Sequence, residues 1–208
     1  MNILNFFFPR SCAVCSTMTR TQFICDRCHP TLPWIKDGGD GLGAKQTFDW
    51  HRAPLKYDGP VVSLIHSFKF LDGLPLIPLL SSWMAKSLPD KTNWLIPIPL
   101  SPKRLRQRTF NQSLELAKGV SKLTGIPVLR NSLQKIRETP PQTGLKKRER
   151  EKNLKGCFSW AGKTALCGKR VVLIDDVYTT GSTLSEAAEV LRGQNPAGIG
   201  ALTLARTI

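Results

Sequence analysis

Two adjacent aspartates followed by a hydroxyl-rich turn are the residues of this sequence best suited to hold a charged ligand. They lie in the segment RVVLIDDVYTTGST, residues 170–183, where an aliphatic run leads directly into Asp175 and Asp176. A turn that opens a helix presents free N–H groups and a positive dipole end, which attract phosphate. Here the turn adds four hydroxyls and one glycine that permits close backbone approach, from Thr179, Thr180, Gly181, Ser182 and Thr183.

The two acids need a target other than the phosphate, because a carboxylate and a phosphate repel each other. Hydroxyl groups, or a magnesium ion with its waters, satisfy carboxylates of this kind. A ligand with a phosphate at one end and vicinal hydroxyls nearby is a ribose 5-phosphate. An ordinary buried strand followed by a capped helix would explain the aliphatic run and Ser182, but not the pair of acids.

Four amino-terminal cysteines have the spacing of a metal site. The segment CAVCSTMTRTQFICDRC contains two CxxC pairs, and a two-residue gap lets both thiolates of a pair reach one zinc ion. The expected ligands are Cys12, Cys15, Cys25 and Cys28. Four thiolates leave no open position, so the predicted zinc is structural, and the short segment would depend on it for folding. Two disulfides or unrelated thiols are the alternative, and His29 could replace Cys28.

The charge of the chain predicts an anionic partner. Its 208 residues include 30 Lys and Arg against 15 Asp and Glu, a net charge of +15, and 41% are hydrophobic, enough for a packed core. Residues 103–155 carry 15 bases against 4 acids, a net of +11. No apolar run approaches the roughly 20 residues that cross a bilayer, and MNILNFFFPR is a poor signal peptide. We therefore expect a cytoplasmic protein with reduced cysteines.

Strands and helices alternate along the rest of the chain, which predicts a parallel α/β sheet flanked by helices. The glycine-rich stretch 36–45 predicts a boundary between a zinc-binding module, residues 1–45, and an α/β domain, residues 46–208. Hydrophobic periodicity predicts helices over 61–70, 76–88, 111–125 and 182–194, and strands over 94–99, 171–175 and 199–206. In the third helix Asn111 is the expected N-cap and Gly125 the expected end. Its expected buried face is Leu114, Ala117, Val120 and Leu123.

The segment VVLIDDVYTTGST resembles the phosphoribosyl-pyrophosphate (PRPP) signature of the type I phosphoribosyltransferases. This resemblance implies that Asp175 and Asp176 hold the ribose hydroxyls and that residues 179–183 wrap the 5-phosphate. It also implies a magnesium ion that bridges the pyrophosphate. The expected fold is then the sheet of that family with a small four-cysteine module added at the amino terminus.

Three further features resemble the ComF (ComFC) competence proteins and their GntX-type relatives. They are IPIPLSPKRLRQRTFNQS, QTGLKKREREKNLKGCF and the paired CxxC motifs, which occur in the family's order, with Thr109 at a position where the family has glycine. The resemblance implies a cytoplasmic role in natural transformation, in which the protein handles incoming single-stranded DNA. Fold and family do not by themselves establish a reaction.

Two basic segments are candidates for pyrophosphate or DNA contact. The first follows the strand at 94–99 and contains Lys103, Arg104, Arg106 and Arg108. The second resembles the mobile loop that closes over the site in phosphoribosyltransferases and contains Gln142, Lys146, Lys147 and Arg148; a solvated surface is its alternative. With only two tyrosines in the chain, we expect DNA binding to be mainly electrostatic and weakly sequence-selective.

Several other polar residues receive weaker assignments. Lys69 lies beside an apolar face. The family resemblance suggests that it contacts phosphate, but we expect an ordinary surface lysine with its charge in solvent. His51 has no recognisable partner and receives no catalytic role. Cys157 and Cys167 lack knuckle spacing and are expected to be buried thiols.

Three functions fit these features. The first is a competence protein that handles single-stranded DNA and binds PRPP or another ribose 5-phosphate with magnesium, with other competence proteins as further partners. The second is an active phosphoribosyltransferase, for which the sequence offers no obvious acceptor pocket or general base. The third is a non-enzymatic scaffold with a vestigial pocket.

Overall fold

The computed structural model describes residues 10–19, 23–36, 47–70, 73–108, 110–138 and 154–208. The strands in this part of the chain are β1 (Arg10–Ser11), β2 (Met18–Thr19), β3 (Trp50–Arg52), β4 (Leu55–Lys56), β5 (Trp94–Pro97), β6 (Leu133–Lys135), β7 (Phe158–Trp160), β8 (Arg170–Tyr178) and β9 (Gly198–Arg206). The α-helices are α1 (Pro60–Phe70), α2 (Ile77–Lys86), α3 (Pro102–Arg108), α4 (Gln112–Thr124) and α5 (Ser182–Arg192). Short 3-10 helices span His29–Thr31 and Leu74–Leu76.

A parallel sheet forms the centre of the fold, as the sequence predicts. Its strand order is β3, β9, β8, β5, and β4 continues the outer edge by pairing with the end of β9. β8 pairs with β9 from Arg170 opposite Gly198 to Tyr178 opposite Arg206. The carboxyl end of β8 therefore carries the paired acids to the edge of the sheet where open α/β folds bind their ligands.

Helices cover both faces of the sheet, which explains the uninterrupted aliphatic run of β8. Val172 and Ile174 pack into one core layer with the buried side chains of α1, α2 and α4. Val171 and Leu173 point the other way, into a second layer with α5. Successive side chains of a strand alternate between its faces, so β8 is fixed from both sides and its carboxyl end is a rigid support.

Helix α4 has the predicted caps but a different buried face. The Leu114 N–H donates to the Asn111 side-chain oxygen at 3.3 Å, and Gly125 ends the helix with φ of 75°. Leu123 is 57% exposed and Leu114 only half-buried, so the predicted face is wrong at both ends. The residues that are buried along α4 are Gln112, Ser113, Leu116, Ala117 and Val120.

The buried face of α4 differs from the predicted one because the helix turns polar residues toward the edge of the sheet. Ser113 Oγ donates to Asp175 Oδ1 at 2.8 Å, and this hydrogen bond satisfies a polar side chain on the buried face. The predicted face shares Ala117 and Val120 with the observed one, but it left out the buried polar residues Gln112 and Ser113.

The described part of the amino-terminal segment, residues 10–19 and 23–36, is called the cysteine module below. Cys12, Ile24 and Leu32 belong to the core layer that α1 and α2 also form. Backbone hydrogen bonds join the module to the sheet edge, since Ile35 N–H donates to Pro54 O at 2.8 Å. The predicted boundary between residues 45 and 46 lies outside the described residues.

No described helix is both long and apolar enough to span a membrane.

Candidate functional site: an acidic cleft and a four-cysteine cluster

A cleft of about 470 Å³ opens at the carboxyl ends of β5 and β8. Both predicted acids and both ends of the predicted phosphate loop line it, together with four cations, a polar stretch of α4 and a part of the β6–β7 hairpin. We call it the acidic cleft; its charged and hydroxyl-bearing lining residues are Tyr57, Lys69, Arg104, Arg108, Ser113, Lys135, Asp175, Asp176, Thr179 and Thr183.

Asp175 is held in one orientation by two hydrogen bonds. Its Oδ1 accepts from Ser113 Oγ at 2.8 Å and from the Asp176 backbone N–H at 2.9 Å. Burial, followed by the neighbouring charge of Asp176, raises the pKa of Asp175 to about 7. Although protein surrounds the carboxyl closely, part of its surface opens to the cleft. The group can thus accept or donate a hydrogen bond near neutral pH.

Asp176 is paired with a lysine that the sequence placed on the surface. Lys69 Nζ, from the last turn of α1, lies 2.8 Å from Asp176 Oδ2, and both side chains are less than one fifth exposed. The expected surface lysine is therefore wrong: the ammonium points into the cleft because two adjacent acids there require a compensating charge. Asp176 itself is 8% exposed.

The loop between β8 and α5 leads directly into the first turn of that helix. Gly181 has φ of 75° and caps α5, and a Cβ built on it would lie 2.7 Å from the Tyr178 ring. Only glycine avoids both the strained conformation and this overlap. Thr180 Oγ1 and Ser182 Oγ are 2.9 Å apart, while Thr179 and Thr183 line the cleft. All five predicted loop residues thus stand in one turn at the start of α5.

His51 supports this loop from behind, although the sequence gave it no partner. It is fully buried, its Nε2 lies 2.9 Å from Thr203 Oγ1, and its ring stacks on Tyr178 at 4.2 Å. Burial, with a smaller effect of Arg206, lowers the pKa of His51 to about 3. The ring is therefore neutral near pH 7 and serves as packing for Tyr178, which in turn contacts Gly181.

The structure divides the predicted basic residues. Arg104 and Arg108 line the cleft, whereas Lys103 and Arg106, on the same helix α3, are exposed and lie outside its lining. Burial lowers the pKa of Arg104. The second basic segment lies outside the described residues, and so do its predicted site residues Gln142, Lys146, Lys147 and Arg148. Thr109 also lies outside them.

Lys135 is a cleft cation that sequence reasoning missed. It lies on β6, far in sequence from the other lining residues, and its ammonium is 5.9 Å from the Phe158 ring centre. Burial lowers the pKa of Lys135. Its only sequence signal was the net charge of the segment 103–155, which does not tell one lysine from another.

The four predicted cysteines come together in the cysteine module. All four Sγ atoms lie within 4.8 Å of one another, and Cys15 Sγ and Cys25 Sγ are 3.7 Å apart. Zinc–sulfur bonds of about 2.3 Å in a tetrahedron require sulfur pairs about 3.8 Å apart. The geometry therefore fits one metal ion with four thiolate ligands. The six described cysteines are free thiols, and the cluster is compatible with a structural metal such as zinc.

The thiols of this cluster influence one another strongly. Hydrogen bonds with Thr17 are the main cause that lowers the pKa of Cys15 to about 6. Desolvation, and then contacts with the neighbouring thiols, raise the pKa of Cys28 to about 12. Crowded sulfurs with opposed pKa shifts are the arrangement that a divalent cation relieves. Of the remaining thiols, Cys157 is buried as expected, but Cys167 is exposed and that expectation is wrong.

Comparison with known proteins identifies the family of the chain that carries these two sites. The chain is 32% identical over 192 residues to Competence protein F of Haemophilus influenzae, covering 87% of this chain and 83% of that protein. The chain belongs to the ComF family of competence proteins. Competence protein ComFC of Bacillus subtilis is 30% identical, covering 93% of this chain and 78% of that protein. The DNA utilization protein YhgH of Escherichia coli is 31% identical, covering 95% and 90%.

The acidic cleft lies largely within a recognised domain. The phosphoribosyl transferase domain family matches residues 112–207, which include α4, β8, α5 and β9. Glutamine phosphoribosylpyrophosphate amidotransferase of B. subtilis, solved with ADP and GMP, aligns with 62% of this chain and 27% of its own at 22% identity, with a TM-score of 0.43. That likeness is too weak to add to the argument. The fold of this ComF-family chain is thus a phosphoribosyltransferase-like parallel sheet with a four-cysteine cluster near its amino terminus.

Proposed function

We propose that the acidic cleft binds PRPP, or another ribose 5-phosphate, with magnesium, and that the chain handles single-stranded DNA as a competence protein. The observation that carries this proposal is the meeting of two acids with a helix-start loop in one cleft. Acids suit hydroxyls and the loop suits a phosphate, so the two halves of the site match the two ends of one sugar phosphate.

In this proposal each part of the ligand has a separate partner. The ribose hydroxyls hydrogen-bond to Asp175 and Asp176, and the 5-phosphate occupies the loop from Thr179 to Thr183. The pyrophosphate faces Arg104, Arg108 and Lys135, three cations that line the cleft. Asp175 and Asp176 offer the carboxylate oxygen ligands that magnesium prefers, and a bound ion would neutralise part of the pyrophosphate charge.

The balance of charges in the cleft supports an anionic ligand. Lys69, Arg104, Arg108 and Lys135 stand against the two aspartates among the lining residues. Lys69 already pairs with Asp176, and protonation of Asp175 near pH 7 removes a further negative charge. Cations therefore outnumber acids among the lining residues, which favours a ligand with several phosphate charges.

The DNA role rests on charge and on the named relatives. Residues 103–155 hold a net charge of +11, and similar proteins are named for competence or for DNA utilization. Binding of this kind releases counterions, so its affinity falls steeply with salt. In this proposal residues 1–45 form a zinc module and residues 46–208 form the ligand-binding domain. The protein acts in the cytoplasm, where its thiols stay reduced, and other competence proteins are further partners.

Active transfer of the phosphoribosyl group is a second candidate function. The observation in its favour is the placement of Arg104 and Arg108 at the cleft, where they could stabilise a departing pyrophosphate. In that reaction an acceptor attacks the ribose C1′, the C1′–oxygen bond to pyrophosphate breaks, and pyrophosphate leaves with the bonding electrons. Release of pyrophosphate from PRPP in the presence of a base, amine or DNA acceptor would identify it.

Calorimetry tests the ligand-binding proposal. We expect PRPP with magnesium to release or absorb heat on the wild-type chain and to raise its melting temperature. Asp175→Asn with Asp176→Asn should weaken this binding at least about tenfold, because charged hydrogen bonds are lost. Asp90→Asn, an exposed acid outside the cleft, is the matched control and should bind as wild type does. A wild-type chain without heat or thermal shift would contradict the proposal and favour the scaffold.

The DNA half of the proposal has its own test. A labelled single-stranded oligonucleotide should bind at low salt, and its affinity should fall by several orders of magnitude as salt rises if six or more phosphates are engaged. Titration with and without PRPP, on wild type and on the double aspartate variant, shows whether the two ligands are coupled. Absence of binding at low salt would contradict the DNA role and leave the cleft proposal intact.

A further inference from the structure

A second cleft, of about 640 Å³, lies where the cysteine module meets the α/β domain. It is separate from the acidic cleft and shares no lining residue with it. We call it the junction pocket; its described lining residues are His29, Trp34, Ile35, Arg52, Pro54, Trp83, Lys86 and Ser87. Three of these are aromatic rings and two are cations, so the pocket combines flat apolar surfaces with positive charge.

The three rings of the junction pocket form one cluster. Trp34 and Trp83 meet edge to face, with ring centres 5.0 Å apart, and His29 lies 5.6 Å from Trp34. Trp83 is buried at 6% exposure, while Trp34 remains 38% exposed. Trp83 thus anchors the cluster in the core, and Trp34 and His29 present ring surface to the pocket. Tryptophan left this exposed beside a concave surface is typical of a binding site.

The rim of the junction pocket is positive. Lys86 stands exposed in the last turn of α2, and Arg52 ends β3 with its guanidinium 5.8 Å from the Trp50 ring centre. No aspartate or glutamate is among the described residues that line the pocket. This charge repels a cationic ligand, and the aromatic surface suits a flat one. A planar group joined to an anion is the ligand chemistry that fits both features.

We propose that the junction pocket binds a nucleotide unit of single-stranded nucleic acid, with a base against Trp34 and His29 and backbone phosphates beside Lys86 and Arg52. The inference rests on the DNA half of the proposed function and gives it a location. Stacking on aromatic side chains requires an unpaired base, whose face is free. A duplex keeps its bases stacked on one another and so can use only the two cations.

The cysteine cluster supports one wall of the junction pocket. His29 directly follows the ligand Cys28 and opens the 3-10 helix His29–Thr31, and the Thr31 N–H donates to Cys28 O at 3.1 Å. The Trp34 strand bridge to Leu55 fixes the other side of the segment. A metal ion at the four cysteines would therefore also hold the His29 ring in place, which connects metal binding with nucleic-acid binding.

Fluorescence anisotropy with labelled oligothymidine and the full-length, zinc-loaded chain tests this site. Trp34→Ala should weaken binding at least about fivefold, because one stacked base is lost, and should leave the salt dependence unchanged. Trp34→Phe keeps a ring and should restore most of the affinity. Lys86→Gln should reduce the slope of log affinity against log salt by about 0.7, the value for one phosphate contact on a single strand.

Lys163→Gln is the matched control for the lysine, since Lys163 is an exposed base outside both clefts and outside the basic segment 103–155. It should bind as wild type does. A blunt-ended duplex of two complementary strands should bind equally to wild type and to Trp34→Ala, because all its bases are paired and stacked. Quenching of tryptophan fluorescence by oligothymidine, reduced in Trp34→Ala, provides a second reading.

The outcomes separate this inference from the proposed function. If wild type binds oligothymidine and both Trp34→Ala and Lys86→Gln match it, the junction pocket is not the site, while the DNA role stands. If wild type does not bind at low salt, the DNA role fails and the inference fails with it. Should circular dichroism show Trp34→Ala to be unfolded, the Lys86→Gln slope against the Lys163→Gln control decides alone.

Discussion

The cysteine module and the acidic cleft depend on different kinds of support. The module has few buried residues of its own, and its four sulfur atoms stand within 4.8 Å of one another. The cleft stands on β8, which is packed on both faces by core layers that include none of the cleft's charged residues. Substitution of one cysteine of the cluster should therefore unfold the module, whereas substitution of one cleft residue should weaken ligand binding and leave the fold intact. The predictions below test this difference.

The largest effect is expected from loss of a cysteine ligand. Cys25→Ser should unfold the cysteine module, since structural zinc contributes about 10–16 kcal/mol in zinc-finger peptides, and a strong zinc chelator should do the same to wild type. Limited proteolysis should then cut within residues 10–36, while the helices and the parallel sheet of the rest of the chain keep their circular dichroism. Cys167→Ser, at an exposed thiol outside the cluster, should change neither. A module that resists protease after metal removal would show that packing alone holds it.

The next effect concerns the pH dependence of stability. Asp175 has a folded-state pKa of about 7 against an ordinary value of 3.8. Between these values the folded chain keeps a proton that the unfolded chain has released, so stability falls as pH rises through this window. Asp175→Asn removes this loss and should stabilise the chain at pH 8 by about 2 kcal/mol or more relative to wild type.

Urea denaturation of both proteins at pH 5 and pH 8 checks this prediction. The advantage of Asp175→Asn over wild type should be smaller at pH 5 than at pH 8, because the loss in wild type accumulates from about pH 3.8 to about pH 7. Parallel curves for the two proteins would show that Asp175 ionises normally, and that the cleft is not as desolvated as its geometry indicates.

Gly181 and Gly125 allow a matched pair of smaller changes. Both have φ of 75° and ψ of −3°, so an alanine at either costs about 1–2 kcal/mol of backbone strain. Only at Gly181 would the new Cβ meet a neighbour, the Tyr178 ring at 2.7 Å; at Gly125 it meets nothing within 4 Å. Gly181→Ala should therefore lose PRPP binding, measured by calorimetry, while Gly125→Ala keeps it. Equal binding by both would remove the loop from the site.

The smallest effect on stability is expected from a change at His51, which packs on Tyr178 beside the β8–α5 loop. His51→Phe keeps a ring against Tyr178 but loses the hydrogen bond to Thr203, which should cost about 1 kcal/mol at pH 7.5. Because the folded pKa of His51 is about 3, wild type loses stability as pH falls from about 6.5 toward 3. The variant should lose less there. Thermal melts at pH 7.5 and pH 4 measure both effects, with the exposed His66→Phe as control.

Local patterns predicted one part of this structure and missed another for a physical reason. The CxxC spacing, the caps of α4 and the β8–α5 turn all depend on residues within a few positions of one another, and all were confirmed. Lys69, Lys135 and His51 reach the site only through packing of distant segments. Their roles come from burial and from neighbouring charges, which a single sequence does not display.

The shifted face of α4 shows the same limit. Ser113 occupies a buried position because its hydroxyl satisfies Asp175, 62 residues away. A reading that assigns burial from hydrophobicity alone excludes such a residue, and it placed Leu123 in the core instead. Functional sites are where local rules and final structure are expected to differ.

A crystal structure grown with PRPP and magnesium is the most direct test of the acidic cleft. The account predicts ribose hydroxyls within hydrogen-bond distance of Asp175 and Asp176, with the 5-phosphate at the Thr179–Thr183 turn. A sugar phosphate bound elsewhere on the chain, or a cleft filled by the protein's own side chains, would contradict it.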